Sequence, residues 1–321
     1  MNKLLKVETK KNFNIPLVEK YRPKELNDII MDSFLEKKIN LILETKDIPN
    51  IIFTGEPSTG KTSTALYLAK QLYKPENIIE LNASDDRGLN MITNTIIPFC
   101  KRMSSGNKLV ILDEADSITN KAQQFMDGIL DTYKEKTRFI FICNEHNKIN
   151  ESLQSRCVIF NFSKLSLKKL TKRLKEICDM EDIKYDSNGI RRLIFFSDDD
   201  IRQCLNNLEC LKYTSNEVTI ASVNNIIDVP KLEYIIKIFK TNNLKDNINI
   251  ITKMYNKGYS SNDIMLVFMK YIQSDLCTTL KKEVKFDLYK IMCQYYIKIN
   301  DGNDSLLQLI SFICKLYKEL N

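Results

Sequence analysis

Eight residues of this 321-residue chain, GEPSTGKT at 55–62, set two glycines, a lysine and a threonine at the spacing G-x-x-x-x-G-K-[ST]. The chemistry behind that spacing is phosphate binding. Gly55 and Gly60 let backbone N–H groups close around phosphate oxygens with no Cβ in the way. Lys61 is placed to reach the β- and γ-phosphates of a nucleoside triphosphate, and the Thr62 hydroxyl to ligate Mg²⁺. Glu56, Pro57, Ser58 and Thr59 complete the nucleotide-binding loop, with Ser63 just inside the segment that follows.

A phosphate loop alone does not make a hydrolase. The stretch LVILDEAD (109–116) supplies a second half, an apolar run ending in Asp113 and Glu114. Asp113 is placed to hold Mg²⁺ through water, and Glu114 to orient and deprotonate the attacking water. In RFIFICNE (138–145) another apolar run ends in Asn144, whose amide can bond both the γ-phosphate and the lytic water. Taken alone, an Asn at a strand end is an ordinary turn former.

These residues need a frame that brings strand ends together. NIIFT (50–54), IIELNAS (78–84), KLVILDEAD (108–116), RFIFICNE and VIFNF (158–162) predict buried strands. KKINLILETK, KTSTALYLAKQLY (61–73) and KAQQFMDGILDTY, lying between them, have helical spacing. Apolar strands alternating with amphipathic helices predict a five-stranded parallel sheet covered on both faces, an α/β fold. After residue 163 the strands stop, and the helical patterns that follow predict a small helical domain and then an all-helical one. The expected domains are 1–163, 164–229 and 230–321.

Taken in order, VEKYRPKELNDII (18–30), GEPSTGKT, LNASDDRG (81–88), LDEAD, ICNE, LQSRC (153–157) and DIRQCLNNL (200–208) resemble the AAA+ clamp-loader small subunits of the replication factor C family. The resemblance runs from Val18 to Leu208; beyond Pro230 it rests on length and helical character. It implies an AAA+ P-loop ATPase with a helical lid and a C-terminal helical collar that assembles subunits into a ring-like pentamer. ATP and Mg²⁺ are the implied cofactors. The implied partners are a large subunit and further small subunits, a sliding clamp and primer-template DNA. Arg156 of the SRC motif would serve a neighbouring subunit's ATP as an arginine finger, a task that suits a permanently charged, bidentate guanidinium. Arg202 would touch the γ-phosphate from the lid, and Val18, Tyr21 and Arg22 would lie nearest the adenine.

Two departures from that family stand out. Ser58 replaces a glycine usual in GPPGTGKT. In NMITNTIIPFCKR (90–102), Thr93, Thr95 and Ile97 stand where the family carries basic residues facing DNA, and Pro98 is expected to interrupt the helix. Basic character returns at Lys101 and Arg102, while Ile96, Ile97 and Phe99 offer either a clamp contact or core packing. Two other classes stay open at this point. One is a different AAA+ ATPase of replication or recombination, an initiator or branch-migration motor. The other is a structural subunit that does not hydrolyse ATP, against which Lys61, Asp113, Glu114 and Arg156 all argue.

Composition bounds the rest. The formal charge is +7 and the pI near 8.7, which permits a nucleic-acid partner without requiring one. Nine cysteines without a CxxC pair, beside a single histidine, His146, argue against a zinc site or a disulfide framework. They point to reduced thiols in an intracellular protein, and the resemblance implies work in a nucleus or at a cytoplasmic viral replication site. The first residues, MNKLLKVETKKNFNIP, lack a signal-peptide core, and no apolar run is long enough to span a membrane. Heavy use of Asn, Ile and Lys records an AT-rich genome rather than a physical requirement.

Overall fold

A computed structural model describes residues 15–84, 89–227, 229–274, 277 and 280–320. It divides into two compact units, Met1–Val223 and Asn224–Asn321. The first is built on strands β1 (Ile51–Gly55), β2 (Ile78–Asn82), β3 (Lys108–Asp113), β4 (Thr137–Cys143) and β5 (Val158–Phe162). They form one parallel sheet in the order β2-β3-β4-β1-β5.

Both faces of the inner strands β1, β3 and β4 are buried, so their residues of either parity are mostly apolar. Ile51, Phe53, Leu109, Ile111, Ile140 and Ile142 point to one side. There they meet Leu35, Ile39 and Ile42 of α2 (Ser33–Thr45) and Ala65, Leu68 and Ala69 of α3 (Lys61–Leu72). Ile52, Val110, Leu112, Phe139 and Phe141 point to the other, against Ala122, Met126, Ile129 and Leu130 of α6 (Asn120–Tyr133). Because every strand runs the same way, Gly55, Asp113 and Cys143 end on one edge, the edge where open α/β sheets bind ligands.

Pro98 does not interrupt its helix. The chain runs from α4 (Leu89–Met91) through a π-helical turn, Ile92–Ile96, into α5 (Ile97–Lys101). Pro98 has no N–H, and its ring would crowd a carbonyl of the preceding turn. The wide turn, closed by the Ile97 N–H on the Ile92 carbonyl, relieves that crowding. Ile96 is fully buried and Ile97 and Phe99 pack against the same core, so core packing accounts for this apolar set. The buried Lys108 ammonium closes the helix, donating to the carbonyls of Phe99 (2.8 Å), Cys100 (2.9 Å) and Arg102.

The lid follows as α7 (Glu151–Ser155), which precedes β5, gives way to α8 (Leu167–Met180), α9 (Ser187–Phe196), α10 (Ile201–Thr214) and α11 (Ile220–Ile226). Strands do not stop at residue 163. β6 (Lys184–Tyr185) and β7 (Glu217–Val218) pair in parallel between lid helices, and two residues each are too few to show alternation. In the second unit α12 (Leu232–Lys240), α13 (Leu244–Asn256), α14 (Ser261–Gln273), α15 (Lys282–Asn300) and α16 (Leu306–Leu320) enclose an aromatic core. Phe268 meets Phe312 edge-on with centroids 5.3 Å apart. No helix among the described residues is long and apolar enough to cross a membrane.

Ahead of α2 runs a strap, residues 17–32, opening with α1 (Leu17–Lys20). It is bound to the lid along its length. The Leu17 N–H donates to Glu209 (3.2 Å), Asp28 pairs with Arg173 (3.4 Å), and the Met31 carbonyl accepts from Lys169 (2.5 Å).

Candidate nucleotide site

Gly60 opens α3 in the left-handed region at φ 93°, and a Cβ there would stand 2.8 Å from the Ile29 side chain of the strap. Gly55, at φ 144°, leaves no room either, since a Cβ would lie 2.2 Å from the Phe162 carbonyl oxygen. Both positions therefore demand glycine, which frames the loop between the end of β1 and the start of α3. Ser58 is also left-handed, at φ 61°. A serine bears there a backbone strain that the family's glycine avoids.

Lys61 is buried, and its ammonium donates to the carbonyls of Gly55 and Glu56, each at 2.7 Å, and to Asn144 Oδ1 at 3.1 Å. Burial pushes its pKa below the usual lysine value, against the pull of neighbouring groups that include Asp113. The Thr62 hydroxyl donates to Asp113 Oδ2 at 2.8 Å. Two hard oxygen donors thus sit side by side at a helix N-terminus, a set that fits Mg²⁺ with water completing its shell. Glu114, exposed at φ 54°, follows with its N–H on Asp113 Oδ1 (2.9 Å).

One cleft is lined by Pro57, Ser58, Thr59, Gly60, Lys61, Thr62, Asp113, Glu114, Asn144 and Arg202, together with Ile142 and Cys143. Loop, two strand ends and the start of α10 therefore converge. Gly55 and Glu56 reach it through their carbonyls on Lys61, whereas Ser63 lies half-buried on α3 beyond it. Arg156 is outside this lining. It ends α7, exposed, and donates to Asp131 Oδ2 of α6 at 2.8 Å. Of the strap residues, Val18 is half-buried, Arg22 pairs with Glu19 (3.5 Å) and the Tyr21 hydroxyl donates to Glu181. The last four residues of LNASDDRG, 85–88, lie outside the described residues.

Sequence reasoning missed two carboxylates. Asp116 Oδ2 accepts the Asn144 backbone N–H (3.2 Å) and so fixes the main chain from which the Asn144 side chain springs; the third acid of DEAD was its signal. Glu181 gave none. Its side chain is 4% exposed, and it accepts from Lys20 (2.5 Å), Tyr21 and Lys212 (2.6 Å). Burial alone would raise its pKa, but the bonds from Lys20, Lys212 and Tyr21 outweigh that and hold it at about 2. A carboxylate held below its ordinary 4.5 stabilises the fold above that pH, and the stabilisation is lost as pH falls toward 2. Urea unfolding across this window should therefore show a steeper acid loss for the parent than for Glu181→Gln. Parallel curves would mean that the carboxylate gains nothing from its partners.

A P-loop ATPase of the AAA class is what this fold and cleft define. The model for the ATPase family associated with various cellular activities (AAA) matches residues 51–165. A model of the RFC1-like AAA+ ATPase lid domain matches 167–225, and one of the replication factor C C-terminal domain matches 230–315. Among solved structures, the RuvB Holliday junction branch migration motor of Thermotoga maritima shares the fold. The TM-score is 0.54 at 16% identity, over 69% of this chain and 78% of that one.

Curated relatives are nearer. Replication factor C subunit 4 of Saccharomyces cerevisiae is 36% identical over 96% of this chain and 97% of that one. Replication factor C subunit 2 of Arabidopsis thaliana is 35% identical, covering 95% and 93%. The replication factor C small subunit of Methanosphaera stadtmanae is 34% identical, covering 94% and 97%. The chain belongs to the replication factor C small-subunit family, nucleotide-binding ATPases of DNA replication that work within a multi-subunit complex.

Proposed function

We propose that this chain is an ATP-driven clamp-loader subunit whose site takes ATP with Mg²⁺ and is completed by a neighbouring subunit. The observation that carries the reading is the cleft itself: Lys61, Thr62, Asp113, Glu114, Asn144 and Arg202 meet there, while Arg156 faces elsewhere. Lys61 would counter the charge of the β- and γ-phosphates, and the loop's backbone N–H groups would hold their oxygens. Thr62 and Asp113 would hold Mg²⁺, which when bound neutralises charge developing on the phosphates. Glu114 would take the proton of the attacking water, Asn144 would orient that water, and Arg202 would bring lid charge to the γ-phosphate.

In this reading residues 1–163 bind nucleotide, 164–229 form the lid and 230–321 the collar that builds the ring. The large subunit and further small subunits complete a pentamer, whose ATP-set shape grips a sliding clamp and whose hydrolysis answers primer-template DNA. Two workplaces fit, a nucleus or a cytoplasmic viral replication site. With Thr93 and Asn94 exposed on the segment that faces DNA in the family, direct phosphate contact from this element is weaker than the family pattern implies, basic character returning only at Lys101 and Arg102.

The test is turnover by the co-expressed complex. Clamp plus primer-template DNA should raise ATP hydrolysis, and Lys61→Ala in this subunit should markedly weaken ATP binding at its site. Stimulation by a four-way junction with no response to the clamp would favour a branch-migration motor instead.

A further inference from the structure

The strap touches both things that must close on a nucleotide. At one end Ile29 lies against Gly60 of the phosphate loop, leaving no room there for a Cβ. On either side of it, Asp28 and Met31 are tied to α8 through Arg173 and Lys169. At the other end, α1 lies along α10, the helix whose first turn carries Arg202 and whose later turns carry Glu209 and Lys212. From Arg202 to Lys212 this helix is about 15 Å of rigid rod. A shift where α10 meets the strap is therefore felt where Arg202 enters the cleft.

Glu181 sits at that junction, capping the C-terminus of α8. Its two oxygens divide the work. Oε1 accepts from Lys20 and Tyr21 of the strap, and Oε2 accepts from Lys212 of α10. A single buried carboxylate thus joins strap, α8 and α10. The ring chemistry described above does not use it.

We propose that Glu181 is a positioning residue for the ATP site: by clasping the strap with one oxygen and α10 with the other, it sets how Arg202 approaches the phosphates. This rests on the reading that Arg202 serves the nucleotide. Lys20 and Lys212 keep contact with water, but Glu181 itself is buried, so removing its charge releases strap and α10 from the one group that joins them. The clasp therefore works as a shared joint between the two elements, and its effect on the site should run through Arg202.

The experiment is a double-mutant cycle on the full chain, with the ATP dissociation constant as readout. Glu181→Gln should weaken ATP binding about 10-fold, and Arg202→Ala should weaken it by a similar factor. In the Arg202→Ala background, Glu181→Gln should then cost less than about 2-fold, because the residue it positions is gone. Glu181→Asp, which keeps the charge, should recover part of the loss. If Glu181→Gln fails to fold, Lys212→Met releases only the α10 half of the clasp and should show the same coupling to Arg202. Full additivity with Arg202→Ala, or a lowered melting temperature with unchanged ATP affinity, would overturn the proposal while leaving Arg202 in its role. If Arg202→Ala does not weaken ATP binding, the assignment of Arg202 falls and the proposal falls with it.

Discussion

Arg156→Ala is expected to leave ATP binding by the single chain unchanged while lowering hydrolysis at the neighbouring subunit's site by about 10³-fold. The first half follows from the geometry. Arg156 ends α7, outside the cleft that Lys61, Thr62 and Arg202 line, so its loss removes nothing from the chain's own phosphates. Its guanidinium is bonded to Asp131, and that bond pulls the aspartate's pKa below the usual carboxylate value. Both partners are exposed, and a solvent-exposed pair of this kind is easily exchanged for a phosphate offered by another subunit. The decisive measurement combines an Arg156→Ala subunit with a Glu114→Gln subunit in defined order. When the missing finger faces the missing carboxylate, both lesions fall on one interface and the remaining sites turn over. In the reverse order two interfaces fail and activity drops further. Equal activity in both orders would show that Arg156 does not act across the interface.

Glu114→Gln should leave ATP binding intact and reduce turnover at this subunit's site by roughly 10²-fold or more. The amide keeps the shape of the side chain but cannot take a proton. Asp113 holds Thr62 with Oδ2 and the Glu114 N–H with Oδ1, and neither bond depends on the carboxylate that is lost. Asp116 is no substitute base, since it stands outside the residues that line the cleft. Single-turnover hydrolysis by the assembled complex, with ATP binding measured separately, checks both halves. The ring should also hold its clamp longer. Unchanged hydrolysis would remove Glu114 from the base role.

The sheet was legible because a strand buried on both faces is apolar at successive positions, as residues 51–53 and 109–112 are. The cleft was legible where chemistry dictates spacing: Gly55 to Thr62 are contiguous, and Asp113 and Asn144 end apolar runs. What escaped depends on partners distant in sequence or on too few residues. Nothing near Glu181 announces Lys20 or Lys212. The pair β6 and β7 has two residues per strand, and the π-turn ahead of Pro98 differs from an α-helix by one residue in its hydrogen bonding. Ser58 looked harmless as a letter. Its cost is visible only in its dihedral, φ 61°.

The strand order has a consequence for synthesis on the ribosome. Among the described residues β1 is the first strand made, yet both of its neighbours, β4 and β5, are encoded far downstream. Between Gly55 and Thr137, at about 5–20 residues per second, the nascent chain spends on the order of ten seconds with Ile51, Ile52 and Phe53 unpaired. β2 and β3 can pair in the meantime, but β1 has nothing to join. The nucleotide cleft matures later still, since Asn144 follows β4 and Arg202 comes only with α10. ATP therefore cannot guide the early stages of folding; it can favour only chains in which the sheet and α10 are already in place.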